Sequence, residues 1–171
     1  MRPIILLTGA LAAVLCGCAT GERISAAADV HGLLVAIRDN DRPAFDAHVD
    51  KVALEAEIQS LIVDRARSSG APGVIKGLGV VVSGPLARAA GRALIRPDVF
   101  AAIADYYGYR PGTPIPGVIV IAGALQDLPD GRVCAISKKS HRCLLTFADE
   151  DGVWRLIAFD AAVASPRLPR A

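Results

Sequence analysis

Seven side chains in this sequence could hold a metal, exchange electrons or take part in nucleophilic chemistry: Cys16, Cys18, Cys134, Cys143, His31, His48 and His141. Disulfide exchange is not expected, because no CxxC motif occurs. Zinc would want paired ligands at short spacing, and Cys134, Cys143 and His141 are one ligand short with the wrong separation. Acyl transfer would need a serine or cysteine beside a histidine that a carboxylate orients. Ser83 lies in "VVVSGP" rather than on a GxSxG elbow. His31 beside the first apolar stripe and His48 next to Val49 and Asp50 read as partly buried or surface residues, not bases. No catalytic residue, metal or cofactor is expected.

Weaker patterns resolve the same way. Gly77 and Gly79 open a GxGxxG whose third position is Val82, with no strand before it and no Walker lysine in register, so close helix packing explains them better. The acidic "DEDG" at 149–152 lacks the spaced ligands and closing glutamate of a calcium loop and reads as a hairpin turn. Asp39 and Asp41 straddle a helix junction, where capping accounts for both. Arg88, Arg92 and Arg96 recur every four residues on an otherwise apolar helix, a pattern suited to lying on anionic lipid. The alternative packs Leu86, Ala89, Ala90 and Ala93 on the sheet and turns the arginines to water.

The N-terminus decides what Cys16 and Cys18 are for. Arg2 supplies a positive start, the apolar stretch from Ile4 to Val14 is too short to span a bilayer comfortably, and small residues follow, which is the order of a secretory leader. Leu15-Cys16-Gly17-Cys18 resembles the lipobox of bacterial lipoproteins. That resemblance implies diacylglyceryl transfer to the Cys18 thiol, cleavage before it and acylation of the new amine, with Cys16 discarded. Three acyl chains, at about 0.8 kcal/mol per inserted CH2, make such an anchor effectively permanent. Ala19 rather than aspartate after Cys18 resembles lipoproteins sorted to the outer membrane. Ordinary cleavage of a secreted domain is the alternative. Export would place Cys134 and Cys143 in an oxidising compartment, and with eight residues between them, including the polar tip Lys138, Lys139, Ser140 and His141, a bond across a hairpin is expected.

The whole chain of 171 residues suffices for one domain after loss of a leader. A net charge of +2 with no block of one sign excludes an extended nucleic-acid footprint, and 5% aromatics disfavours a base- or sugar-stacking platform. The expected division is a leader over 1–17, a tether over 18–25, a single α+β domain over 26–162 and a flexible tail over 163–171.

Val30, Leu33, Leu34 and Ile37 place one stripe on a helix from Ala26 to Asp39. Asp41 can cap a short helix with Pro43 in its first turn and Phe45 and Val49 inward. Asp50 starts a third helix whose Leu54, Ile58, Leu61, Ile62 and Arg65 share a side until Gly70. The apolar, glycine-rich 73–97 segment divides at Ser83 and Gly84, with Pro85 starting a helix; Pro97 starts another, with Val99, Phe100, Ile103 and Tyr107 inward and Gly108 at its end. "GYRPGTPIPG" is a connection. Then "GVIVIAGAL", "VCAIS", "CLLTF" and "VWRLIAF", joined by short turns, read as an antiparallel meander of about four strands with the N-terminal helices on one face.

The stretch "LLVAIRDNDRPAFDAHVD", with Asp41, Phe45, Val49 and Asp50, together with "RPDVFAAI" and "FADEDGVWRLIAF", resembles the bacterial family of unknown function DUF 2939 over residues 29–160. Lys51 and the cysteine pair depart from that pattern. The resemblance implies an α+β fold and transfers no catalytic residue. The order of elements also looks like the cone-shaped NTF2-like domains, a likeness of fold alone that implies a pocket on the concave sheet face, near Tyr107 and Trp154. The expectation is a periplasmic lipoprotein held in the bilayer through acylated Cys18, engaging an envelope protein or a small apolar ligand. The alternatives are a cell-envelope enzyme of unrecognised type and a structural or membrane-surface-binding lipoprotein.

Overall fold

A computed structural model describes residues 4–68, 85–106, 109–110, 112–138 and 140–160. Gly70, Gly77, Gly79, Val82, Ser83, Gly84, Tyr107, Gly108 and the 163–171 tail lie outside these residues. The fold is α+β, with helices leading into a four-stranded antiparallel sheet.

Helix α1 (Ile4–Arg38) passes without a break through the stretch expected to be a tether. Residues 18–25 are helical, and Ala26 and Ala27 just beyond are fully buried. The small residues that suggest a tether are compatible with helix, since Ala19 is a strong former and no proline intervenes. The far end of α1 closes on Asn40 at φ 53°: the amide of Asp41 donates to Ala36 O and that of Asn40 to Ile37 O, the Schellman arrangement with asparagine in the usual glycine position.

The next starts follow from capping, as expected. Asp41 Oδ1 accepts from the Ala44 amide at 3.1 Å and opens α2 (Arg42–Ala47). Asp50 Oδ1 accepts from the amides of Val52 and Ala53 at 2.9 and 3.0 Å and opens α3 (Lys51–Ser68). Asp39 differs from the capping expectation: it pairs with Arg38, whose Nε is 2.7 Å from Oδ1. Pro85 and Pro97 start α4 (Pro85–Leu94) and α5 (Pro97–Tyr106), where a missing N–H costs nothing.

Two packing expectations need correction here. Helix α4 lies on α3 rather than on the sheet: Gly91 is buried against Glu55, and Ile95 just past the helix is 2% exposed, while Ala89 and Ala93 face solvent. The inner side of α5 is carried by Pro97 and by Phe100, whose ring meets Phe45 edge-on at 5.2 Å; Ile103 is left at the surface.

A third correction concerns "GVIVIAGAL". Its first part is a helix, α6 (Val118–Ala122), capped by Gly117, and only Leu125–Asp127 forms a strand, β1. Ile121 is buried, Val118 and Ala122 pack against the core, and Ile119 and Val120 are 74% and 65% exposed. That spacing is the one-sided pattern of a helix on α1, and the alternation of a strand would instead bury Ile119 with Ile121.

β2 (Val133–Ile136), β3 (Cys143–Glu150) and β4 (Val153–Phe159) complete the meander in the order β1-β2-β3-β4. The β1–β2 turn uses Gly131 at φ 81°, and the β3–β4 turn is Asp151-Gly152 at φ 57° and 82°, the left-handed pair that matches strand twist in a two-residue hairpin. Cys134 and Cys143 are disulfide-bonded across β2 and β3, with Cα atoms 5.6 Å apart. The core between helices and sheet is built on Phe45, Leu54, Ile95, Val133, Phe147 and Leu156. Among the described residues no helix is long and apolar enough to cross a membrane.

Candidate functional site

The polar groups that the fold brings together lie along the free edge of β4. A strand edge exposes unpaired N–H and C=O groups, which must be covered or solvated. Here the junction of α2 and α3 covers the middle of the edge: the Leu156 amide donates to His48 O and its carbonyl accepts from the Asp50 amide, both at 3.0 Å, giving a parallel bridge between Val49 and Leu156. The next outward amide, that of Trp154, donates to Asp29 Oδ2 of α1 at 2.9 Å. Arg155 Nε adds a 3.2 Å bond to Ala47 O.

His48 stands at the centre of this arrangement. Its Nδ1 lies 3.8 Å from Asp29 Oδ1, too far for a hydrogen bond, and has no hydrogen-bond partner although the atom is shielded from solvent. The ring rests on α1 at Gly32, where an ideal Cβ would come within 2.8 Å of Nε2. A half-buried carboxylate and imidazole thus meet where α1, the α2–α3 junction and β4 converge. Covalent nucleophilic catalysis would also need a hydroxyl or thiol in reach of the ring. Among the described residues none is hydrogen-bonded to it. The arrangement seals a strand edge and wedges one ring between three elements.

The other sequence-derived candidates lie apart from this site. His31 Nδ1 is 2.9 Å from Pro116 O and ties the proline-rich connection to α1. His141 is exposed at φ 52° in the β2–β3 loop. Trp154 is buried at 4% in the helix–sheet core, and Tyr107 falls outside the described residues. Cys18 is in α1, ahead of the domain core. Arg88 is in α4, Arg92 approaches Glu55 at 3.8 Å, and Arg96 pairs with Asp98 at 3.0 Å just outside that helix. The last two arginines are therefore exposed and paired with acids of their own chain. Among the described residues no three His, Cys, Asp or Glu side chains converge as metal donors would.

Asp29 and Gly32 escape sequence reasoning. The one available signal is that Asp29 stands three residues after Ala26 and four before Leu33, so a carboxylate occupies the buried stripe. Its partner is a backbone amide 125 residues away, which leaves no mark in sequence. Compared with family models, curated proteins and solved structures, the chain matches none.

Proposed function

We propose that this chain is a lipoprotein of the cell envelope, anchored through acylated Cys18 on the periplasmic side, in the outer membrane rather than the inner, and that its domain is a non-catalytic binding or interaction module. The observation that carries the reading is the order of Arg2, the apolar stretch from Ile4 to Val14, and Leu15-Cys16-Gly17-Cys18. The Cys134–Cys143 disulfide supports it, because such a bond persists where thiols are oxidised. The occupant is an envelope protein or a small apolar ligand, not nucleic acid. The resemblance to a family of unknown function adds an α+β fold and no activity.

Metabolic labelling with radioactive palmitate tests the anchor. The expected result is label on the wild-type chain and none on Cys18→Ala; an unlabelled wild type overturns the reading. Crosslinking in cells followed by capture from native membranes then tests the interaction role, with a discrete adduct expected.

A cell-envelope enzyme is the second reading, and the Asp29–His48 pair favours it. It requires that His48→Gln reproduce whatever defect deletion of the whole chain causes in cells while the melting temperature stays unchanged.

A further inference from the structure

We infer that the domain is held at the bilayer surface by a rigid helical stem rather than by a flexible leash. This rests on the acylation of Cys18 proposed above. Helix α1 runs through Cys18 without interruption and is fastened to the domain within a few residues. Arg23 Nε is 3.2 Å from Asp127 Oδ2 at the end of β1, and Ala26 and Ala27 are fully buried. Arg23 stands five positions beyond Cys18, about 7.5 Å of helix. A flexible leash would let the domain turn freely, whereas a clamped helix fixes both its height and its orientation.

Asp127 lies beside Arg23 and pairs with Val133, so β1 ends and β2 begins at the stem. Val133 pairs with Phe147, and β3 continues past it to Glu150, opposite Val153 of β4. Both turns therefore lie at one end of the sheet, with the loop bearing His141 at the other, and the stem is clamped near the turns, by Arg23 at Asp127 and by Asp29 at Trp154. Charge would not bring the turn end to an anionic surface unaided. Asp127, Asp130, Asp149, Glu150 and Asp151 outnumber Arg23, Arg132 and Arg155 there, so closeness has to be imposed by the covalent stem.

Trp154 is the single tryptophan, which makes the inference measurable. Its amide contacts Asp29, eleven residues past Cys18, or about 16 Å along the helix. The experiment reconstitutes the full-length protein, purified from membranes, into phosphatidylethanolamine vesicles carrying dansyl-labelled headgroups. Energy transfer from Trp154 is then read before and after insertion of a Gly-Ser segment of roughly 20 residues following Ala19, with a reach of about 25 Å. The expected result is strong transfer that falls at least about twofold in the insertion variant, whose melting temperature is unchanged, and no transfer for Cys18→Ala. Strong transfer that survives the insertion, or that persists in Cys18→Ala, overturns the stem in favour of surface attraction. Weak transfer in a protein that floats with the vesicles overturns the stem and leaves the anchor standing. A wild type that fails to float removes the anchor, and the stem with it.

Discussion

Asp29 joins α1 to the edge of β4, and its removal leaves the Trp154 amide without its partner. A hydrogen bond to a charged acceptor contributes about 1–3 kcal/mol, so Asp29→Ala should lower stability by that amount in a urea titration with an unchanged m-value. Gly32 offers a sharper test. Alanine there gains roughly 0.5–1 kcal/mol of helix propensity, but its Cβ would collide with His48 Nε2. Gly32→Ala is expected to destabilise the wild-type chain and to stabilise His48→Ala, a change of sign that a double-mutant cycle reads directly. Equal effects in both backgrounds would contradict the packing of the ring on α1.

At the surface, Arg132 hydrogen-bonds Asp130 and holds its carboxyl below the ordinary carboxylate range. Because the folded value is the lower one, the pair's contribution is present above the unfolded pKa and is lost as pH falls through the folded value. An NMR titration should show the Asp130 midpoint rising in Arg132→Ala, with the melting temperature unmoved because both groups are exposed. The junction acids Asp41 and Asp50 were legible as caps because capping is local in sequence. Asp29 was not, because its partner is set by strand register.

Among the elements, helix starts at Pro85 and Pro97, the Asp151-Gly152 hairpin and the meander order follow from local rules. Helix α6 does not, since a five-residue apolar run satisfies the helical and strand periods almost equally well. What selects helix is the α1 surface, against which Val118, Ile121 and Ala122 turn one face. Ile121→Ala should therefore cost about 2 kcal/mol or more, and Ile119→Ala less than about 0.5 kcal/mol. Comparable losses at both positions would indicate a strand. The β2–β3 connection is constrained by the disulfide, and Cys134→Ser with Cys143→Ser should lower stability by about 2–3 kcal/mol through the freer unfolded chain.

At the scale of the molecule, the proposed leader and lipid-acceptor cysteine join the disulfide-bonded α+β domain in one consistent account of an exported, membrane-held module. The fold class was legible because helical and strand periods occupy separate halves of the chain. The helical course of residues 18–25 was not, since small residues serve a tether and a helix alike, and it shows only in the unbroken α1. The account depends most on the covalent state of Cys18. Mass spectrometry of the N-terminal peptide from protein purified out of native membranes reads it directly. The expected species begins at Cys18 and carries a diacylglyceryl thioether and an acylated amine; a mature chain that begins elsewhere, or an unmodified Cys18, would contradict the account.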